Sequence, residues 1–157
     1  MADNLQKSKW RGRFLRYAPI ILWIGVIMVL STSQASMSKT SRFVTPLLVF
    51  LFPNAPEATL VIYHGYVRKL AHFTEYAILA FWACRAFSNS SQNLLLRFRF
   101  AFSFILVFVV ASIDETNQSF LSSRTGSIDD VLLDAAGGAA MILFFYSVTE
   151  YHQRRKF

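Results

Sequence analysis

Hydrophobic positions along the chain gather into long blocks separated by short polar stretches. The first block covers about residues 17–33 and follows a segment carrying Lys7, Lys9, Arg11, Arg13 and Arg16. Three more cover about residues 67–87, 98–119 and 128–148. About 20 helical residues cross a hydrocarbon core roughly 30 Å thick. The pattern therefore predicts an all-α integral membrane protein, a bundle of four transmembrane helices in a single domain over 1–157. Short connections between the last three blocks favour antiparallel neighbours. The basic stretches at 1–16 and 149–157 are expected to lie outside the bilayer.

One oily run is too short to span. Phe43 to Phe52 amounts to about ten apolar positions and ends at Pro53, which suits a short re-entrant or interfacial helix after the first span. Pro46, Pro53 and Pro56 should break any longer helix in the 34–63 loop. Ser33 to Ser36 imitates the cleavage site of a secretory signal, but three further spans make a retained first helix the simpler reading.

Composition agrees with a membrane class: 54% of the 157 residues are hydrophobic and the mean hydropathy is +0.39. The single cysteine, Cys84, lies inside a span, so one chain cannot build a disulfide or a Cys-based zinc site. The net charge of +7 comes from residues at the edges of apolar blocks. No basic stripe interleaves with exposed aromatics, which argues against nucleic acid and for membrane lipids as partners. A homo-oligomer stays open. Eleven of the 16 Lys and Arg fall at the two termini and between the second and third spans. The positive-inside rule then predicts a multi-pass protein of the cell membrane with both termini cytoplasmic.

Most acidic residues fall on the opposite, outer side. The second span is expected to open with Arg68 and Lys69, and Arg68, His72 and Glu75 share a helical face. An unpaired carboxylate at the depth of Glu75 costs several kcal/mol, on the order seen for intramembrane charges, so it should face the bundle. The third span ends in Asp114-Glu115-Thr116-Asn117-Gln118, with Asp114 and Gln118 on one face. Arg124, in the following loop, is the nearest positive partner. Ser127 followed by Asp129 and Asp130 resembles a helix cap, and Asp134 lies one turn below Asp130. Gly137 and Gly138 are small residues of the kind that let helices approach closely.

The strings RKLAHFTEY and DETNQSFLSSRTGSIDDVLLDAAGG resemble the two signature blocks of the VanZ-like family. That pattern reads roughly K-x-x-H-F-x-x-Y, then D-E-x-x-Q, an Arg, and D-x-x-x-N followed by Gly. Lys69, His72, Phe73, Tyr76, Asp114, Glu115, Gln118, Arg124 and Asp130 match it; Asp134 stands where the family has Asn. The likeness covers roughly residues 60–145. It implies four transmembrane helices and, for the family's namesake, low-level resistance to teicoplanin with little effect on vancomycin. It implies no settled biochemical activity.

Each singled-out residue carries two readings. His72 is a general acid or base, or it holds two helices together by a hydrogen bond. A lone His among carboxylates also leaves a divalent cation open as cofactor, but without a ligand pair such as His-x-x-x-His no metal ligands are assigned. Arg68, Lys69 and Arg124 either clamp a lipid phosphate or neutralise acids. Tyr76 is placed either as an interfacial ring or to orient His72. The expected site therefore has His72, Asp114 and Glu115 as reacting groups, with Arg68, Lys69, Glu75, Tyr76, Gln118, Arg124, Asp130 and Asp134 binding the substrate. Three functions follow: an enzyme acting on a phosphate-bearing lipid or lipid-linked wall precursor, a protein that binds or shields such a headgroup without chemistry, and a proton-coupled flippase component. Catalysis is left open.

Overall fold

The computed structural model describes the backbone of residues 2–32, 37–120 and 126–155, and the side chains of these apart from 2–11, 37–39, 153 and 154. The described residues form six helices and no strand: α1 (Ala2–Leu30), α2 (Met37–Leu51), α3 (Glu57–Ser88), α4 (Asn93–Arg97), α5 (Arg99–Ser119) and α6 (Ile128–Arg154). The all-α class expected from the pattern is the one observed.

Boundaries differ in ways that matter for the site. Helix α3 starts at Glu57, ten residues ahead of the expected Val67, so Arg68 lies in its interior rather than opening it. Pro56 stands at the cap, where a missing N–H costs little, and its carbonyl takes the first bonds from the N–H groups of Thr59 and Leu60. Glu57 adds an acid to the first turn, where the helix dipole favours one. Pro53 and Pro56 do separate α2 from α3, but Pro46 sits inside α2. A proline there forfeits the bond to the carbonyl four residues back, and α2 continues past it. The short α4 was not expected.

Among the described residues, three helical stretches are long and apolar enough to cross a membrane, Gly12–Leu30, Arg99–Ser119 and Ile128–His152. Their outward faces leave Leu22, Ile105 and Phe144 exposed, as suits contact with lipid tails. With its 32 residues α3 has length to spare, but Arg68, Lys69, Glu75 and Arg85 make it more polar than those three.

Helix α3 is the hub and touches α1, α2, α4, α5 and α6. It runs antiparallel to α1, as two bonds show. Tyr17 Oη meets Ser90 Oγ at 3.2 Å, and Trp23 Nε1 donates to the Glu75 carbonyl at 2.8 Å. It is antiparallel to α5, with Phe87 against Phe102, and parallel to α6, with Phe81 against Phe145. Between them lies a core of Tyr76, Leu79, Ala80, Ala83, Val107, Val110 and Ala111. Lipid tails are as apolar as these side chains, so close packing rather than escape from water must hold the helices together. The alanines of α3 and α5 make that closeness achievable.

Two glycines of α6 set the tightest approach. A Cβ on Gly137 would collide with the backbone carbonyl of Phe73, and one on Gly138 would lie 2.6 Å from Val107 Cγ1. By contrast, a Cβ on Gly65 of α3 meets nothing within 4 Å. Replacing Gly137 by Ala is therefore expected to destabilise the fold by about 1–3 kcal/mol, the usual range for overpacking. Gly65→Ala should be neutral or stabilising by up to about 1 kcal/mol through helix propensity. Thermal unfolding of the two variants in detergent, compared with the parent chain, checks the pair.

Candidate functional site at the polar end of the bundle

Three helices bring their polar residues to one end of the bundle: the first half of α3, the last turns of α5 and the first turns of α6. Asp134 and Gly137 are one turn apart on α6, and Phe73 adjoins His72 on α3. The contact of Gly137 with Phe73 therefore presses Asp134 against His72. His72 Nδ1 lies 3.5 Å from Asp134 Oδ1. The Asp134 side chain is fully buried, and neither of its carboxylate oxygens has a hydrogen-bond partner.

Asp114 of α5 meets the same point and is 1% exposed. Its Oδ2 accepts two bonds, from Tyr76 Oη at 3.1 Å and from Gln118 Nε2 at 3.1 Å. Its Oδ1 is buried and has no hydrogen-bond partner. Gln118 in turn accepts from Arg68 Nη2 at 3.1 Å, so a chain of donors runs from Arg68 to Asp114. The sequence leaves Tyr76 either as an interfacial ring or as a group that orients His72; its ring is wholly buried and its hydroxyl donates to Asp114 on α5.

Glu115 is held from the loop. A Cβ on Gly126 would clash with the Glu115 carbonyl, so only glycine lets the chain fold this tightly onto the end of α5. The backbone N–H of Ser127 then donates to Glu115 Oε2 at 3.2 Å. Ser127 also caps α6 as its sequence suggests: its Oγ accepts from the Asp130 N–H at 3.1 Å and donates to Asp130 Oδ2 at 2.9 Å. Asp130 is thereby engaged in the cap.

One donor atom from each of His72, Asp114, Glu115 and Asp134 lies within 4.8 Å of the others. All three residues expected to react are thus brought together, joined by Asp134, with Tyr76, Gln118 and Arg68 around them. Lys69 is exposed, one residue round the helix from Arg68. Arg124 lies outside the described residues.

A cavity of about 210 Å³ opens against this cluster. Its lining includes Arg68, His72, Glu75 and Asp114 together with Leu30, Val44, Val67 and Ala71. Helix α2 closes it: Thr40 Oγ1 and His64 Nε2 lie 3.1 Å apart across the α2–α3 contact. His64 was missed from the sequence. It precedes Arg68 by four residues and His72 by eight, so the same helical face extends backwards; the neighbouring prolines made that stretch read as loop.

Removing the Tyr76 hydroxyl would leave a buried carboxylate one donor short. Tyr76→Phe, which keeps the ring in place, is expected to lower stability by about 1–3 kcal/mol. The thermal midpoint of the purified variant measures it.

Comparison with known proteins agrees with the motifs that converge here. Neither the curated proteins nor the solved structures contain a match to the chain. A family model described as VanZ/LLP1 matches residues 16–149, a stretch that takes in most of each spanning helix and every described residue of the cluster. The chain belongs to the VanZ/LLP1 family.

Proposed function

We propose that this chain crosses the cell membrane four times, with α3 as the fourth span and both termini cytoplasmic, and that its cavity takes in a phosphate-bearing lipid or lipid-linked wall precursor at the outer face. One observation carries the reading: a cavity beside the polar cluster whose lining combines apolar side chains with a guanidinium, two imidazoles and carboxylates. An amphiphile needs both kinds of lining, with its tail along Leu30, Val44 and Val67 and its headgroup at Arg68 and His72. Guanidinium suits phosphate because its planar fork matches the oxygens.

The charged residues of α3 support its role as a span rather than oppose it. Arg68, His72 and Glu75 face the cavity, and Tyr76 faces α5, so the lipid is spared most of the polarity. Helix α2 is read as the re-entrant or interfacial segment, which covers the cavity from the outer side. His72, Asp114 and Glu115 are the groups placed to act on a headgroup, with proton transfer as their chemistry. Lys69 would meet phosphate from the rim, and Arg124 is kept from the sequence as a further phosphate ligand. An effect on teicoplanin susceptibility would follow from the altered lipid or precursor, and it rests on the family resemblance alone.

Two measurements test this. In a chain whose Cys84 has been replaced by Ser, a cysteine at Asn54 should react with a membrane-impermeant maleimide in intact cells. One at Gln92 should react only after permeabilisation, and the reverse pattern would invert the topology. Second, mass-spectrometric profiles of lipids and wall precursors should change when the intact chain is expressed and return to the empty-vector profile with Arg68→Ala or Asp114→Ala at matched membrane levels. Profiles unaffected by the intact chain, with saturable lipid binding retained, would turn the reading to binding without chemistry.

A further inference from the structure

The polar lining of the cavity poses an electrostatic problem for the ligand proposed above. Arg68 is the permanent cation there, beside the imidazoles of His64 and His72, and the acids near them are Glu75 and Asp114, with Glu115 and Asp134 in the cluster that His72 and Asp114 share. An anionic headgroup entering this site would be repelled by the carboxylates unless another positive charge sat among them. The carboxylates face the same difficulty with each other. A buried acceptor left unsatisfied is costly, and more so when it is charged. Asp134 has two such oxygens and Asp114 one.

We propose that His72, Asp114, Glu115 and Asp134 form a binding site for one divalent transition-metal cation, Zn²⁺ or Mn²⁺. Three features point to a cation rather than to a fortuitous gathering of acids. The four donor atoms come from three different helices and lie within 4.8 Å of one another, the spread of a coordination shell. The oxygens without a hydrogen bond, Asp114 Oδ1 and both of Asp134, belong to side chains 1% exposed or less, and Asp134 Oδ1 stands 3.5 Å from His72 Nδ1 within the group. The opposite sides of the acids are held by the protein. Asp114 Oδ2 is fixed by Tyr76 and Gln118, and Glu115 Oε2 by the Ser127 N–H. Outer hydrogen bonds of this kind orient ligating carboxylates and leave the inner oxygen for the metal.

The donor set narrows the ion. One imidazole with three carboxylates suits Zn²⁺ or Mn²⁺ and lacks the thiolate or thioether that Cu⁺ selects. Mg²⁺ prefers one or two carboxylates and several waters, and Ca²⁺ takes six to eight oxygens and no imidazole, both by general coordination preference. Asp134 matters most here, since the family pattern has Asn at this place and the carboxylate adds a full charge to the shell. His72 and Asp114 also line the cavity, so a bound cation would be reached from it. Its role toward a phosphate headgroup rests on the lipid reading, whereas metal binding itself does not. A His72 engaged with a cation is also no longer a free base.

The test uses the full chain in detergent, without lipid, stripped by chelator and titrated with Mn²⁺ or Zn²⁺. One saturable site per chain is expected, and metal should raise the thermal midpoint, since a ligand of the folded state stabilises it. Asp134→Asn, which restores the family residue and keeps the shape, should weaken binding by about tenfold or more, as disturbances of metal sites do. Pulsed EPR of the Mn²⁺ form should show nitrogen coupling that disappears in His72→Gln. Absence of saturable binding of both ions by the parent chain would overturn the proposal whatever the variants do. So would equal affinity in Asp134→Asn, or nitrogen coupling that survives His72→Gln. Metal binding without any effect on lipid would leave the cation site standing and remove the lipid reading alone.

Discussion

Asp134 is buried beside His72 because Gly137, one turn further along α6, lets that helix touch the backbone of α3 at Phe73. Much of the molecule depends on this contact. A helix pair held apart by ordinary side chains, at the usual 8–10 Å between axes, would leave room for water beside the carboxylate. At a glycine contact water is excluded, and the carboxylate must find its partner within the protein. The cluster that results also draws in α5, whose Asp114 and Glu115 are brought to the same place by Tyr76 on one side and by the Gly126–Ser127 turn on the other.

The apolar half of the bundle is what makes this arrangement tolerable. Small residues of α3 and α5, with Leu79, Val107 and Val110 between them, give a tightly packed core towards the other end. Trp23 and Tyr17 dock α1 along α3 by hydrogen bonds as well as by ring contact. Rigid packing there means that the polar groups cannot easily relax away from one another. Protein interiors resist such relaxation because they are packed as densely as molecular crystals. The unsatisfied oxygens of Asp114 and Asp134 are therefore a property of the fold rather than of a loose surface.

Helix α3 combines two duties that are usually separate. It is the helix that all the others pack against, and it carries the cation, two imidazoles and one acid that face the cavity. The division is by helical face: Tyr76, Leu79, Ala80 and Ala83 turn to the core, while His64, Arg68, His72 and Glu75 turn to the cavity beneath α2. A polar face on the central helix explains why α3 falls short of the hydropathy of its neighbours although it lies among them.

By itself the sequence determined the all-helical membrane class, the three helices long and apolar enough to span, the family, the Ser127 cap and the residue types of the cluster. These are local properties: block length, helical spacing and capping chemistry act over a few residues and leave a direct imprint on the chain. The start of α3 escaped it because Gly65 and three prolines imitate a loop, and His64 was lost with it. Which acid meets which donor was also beyond it. Tyr76 is four residues from His72 in sequence, yet its hydroxyl reaches Asp114, 38 residues away. That choice, the Asp134 oxygens left without a hydrogen bond and the cavity under α2 depend on how closely separate helices approach. The glycines permit that approach, but only the packed bundle shows where it occurs.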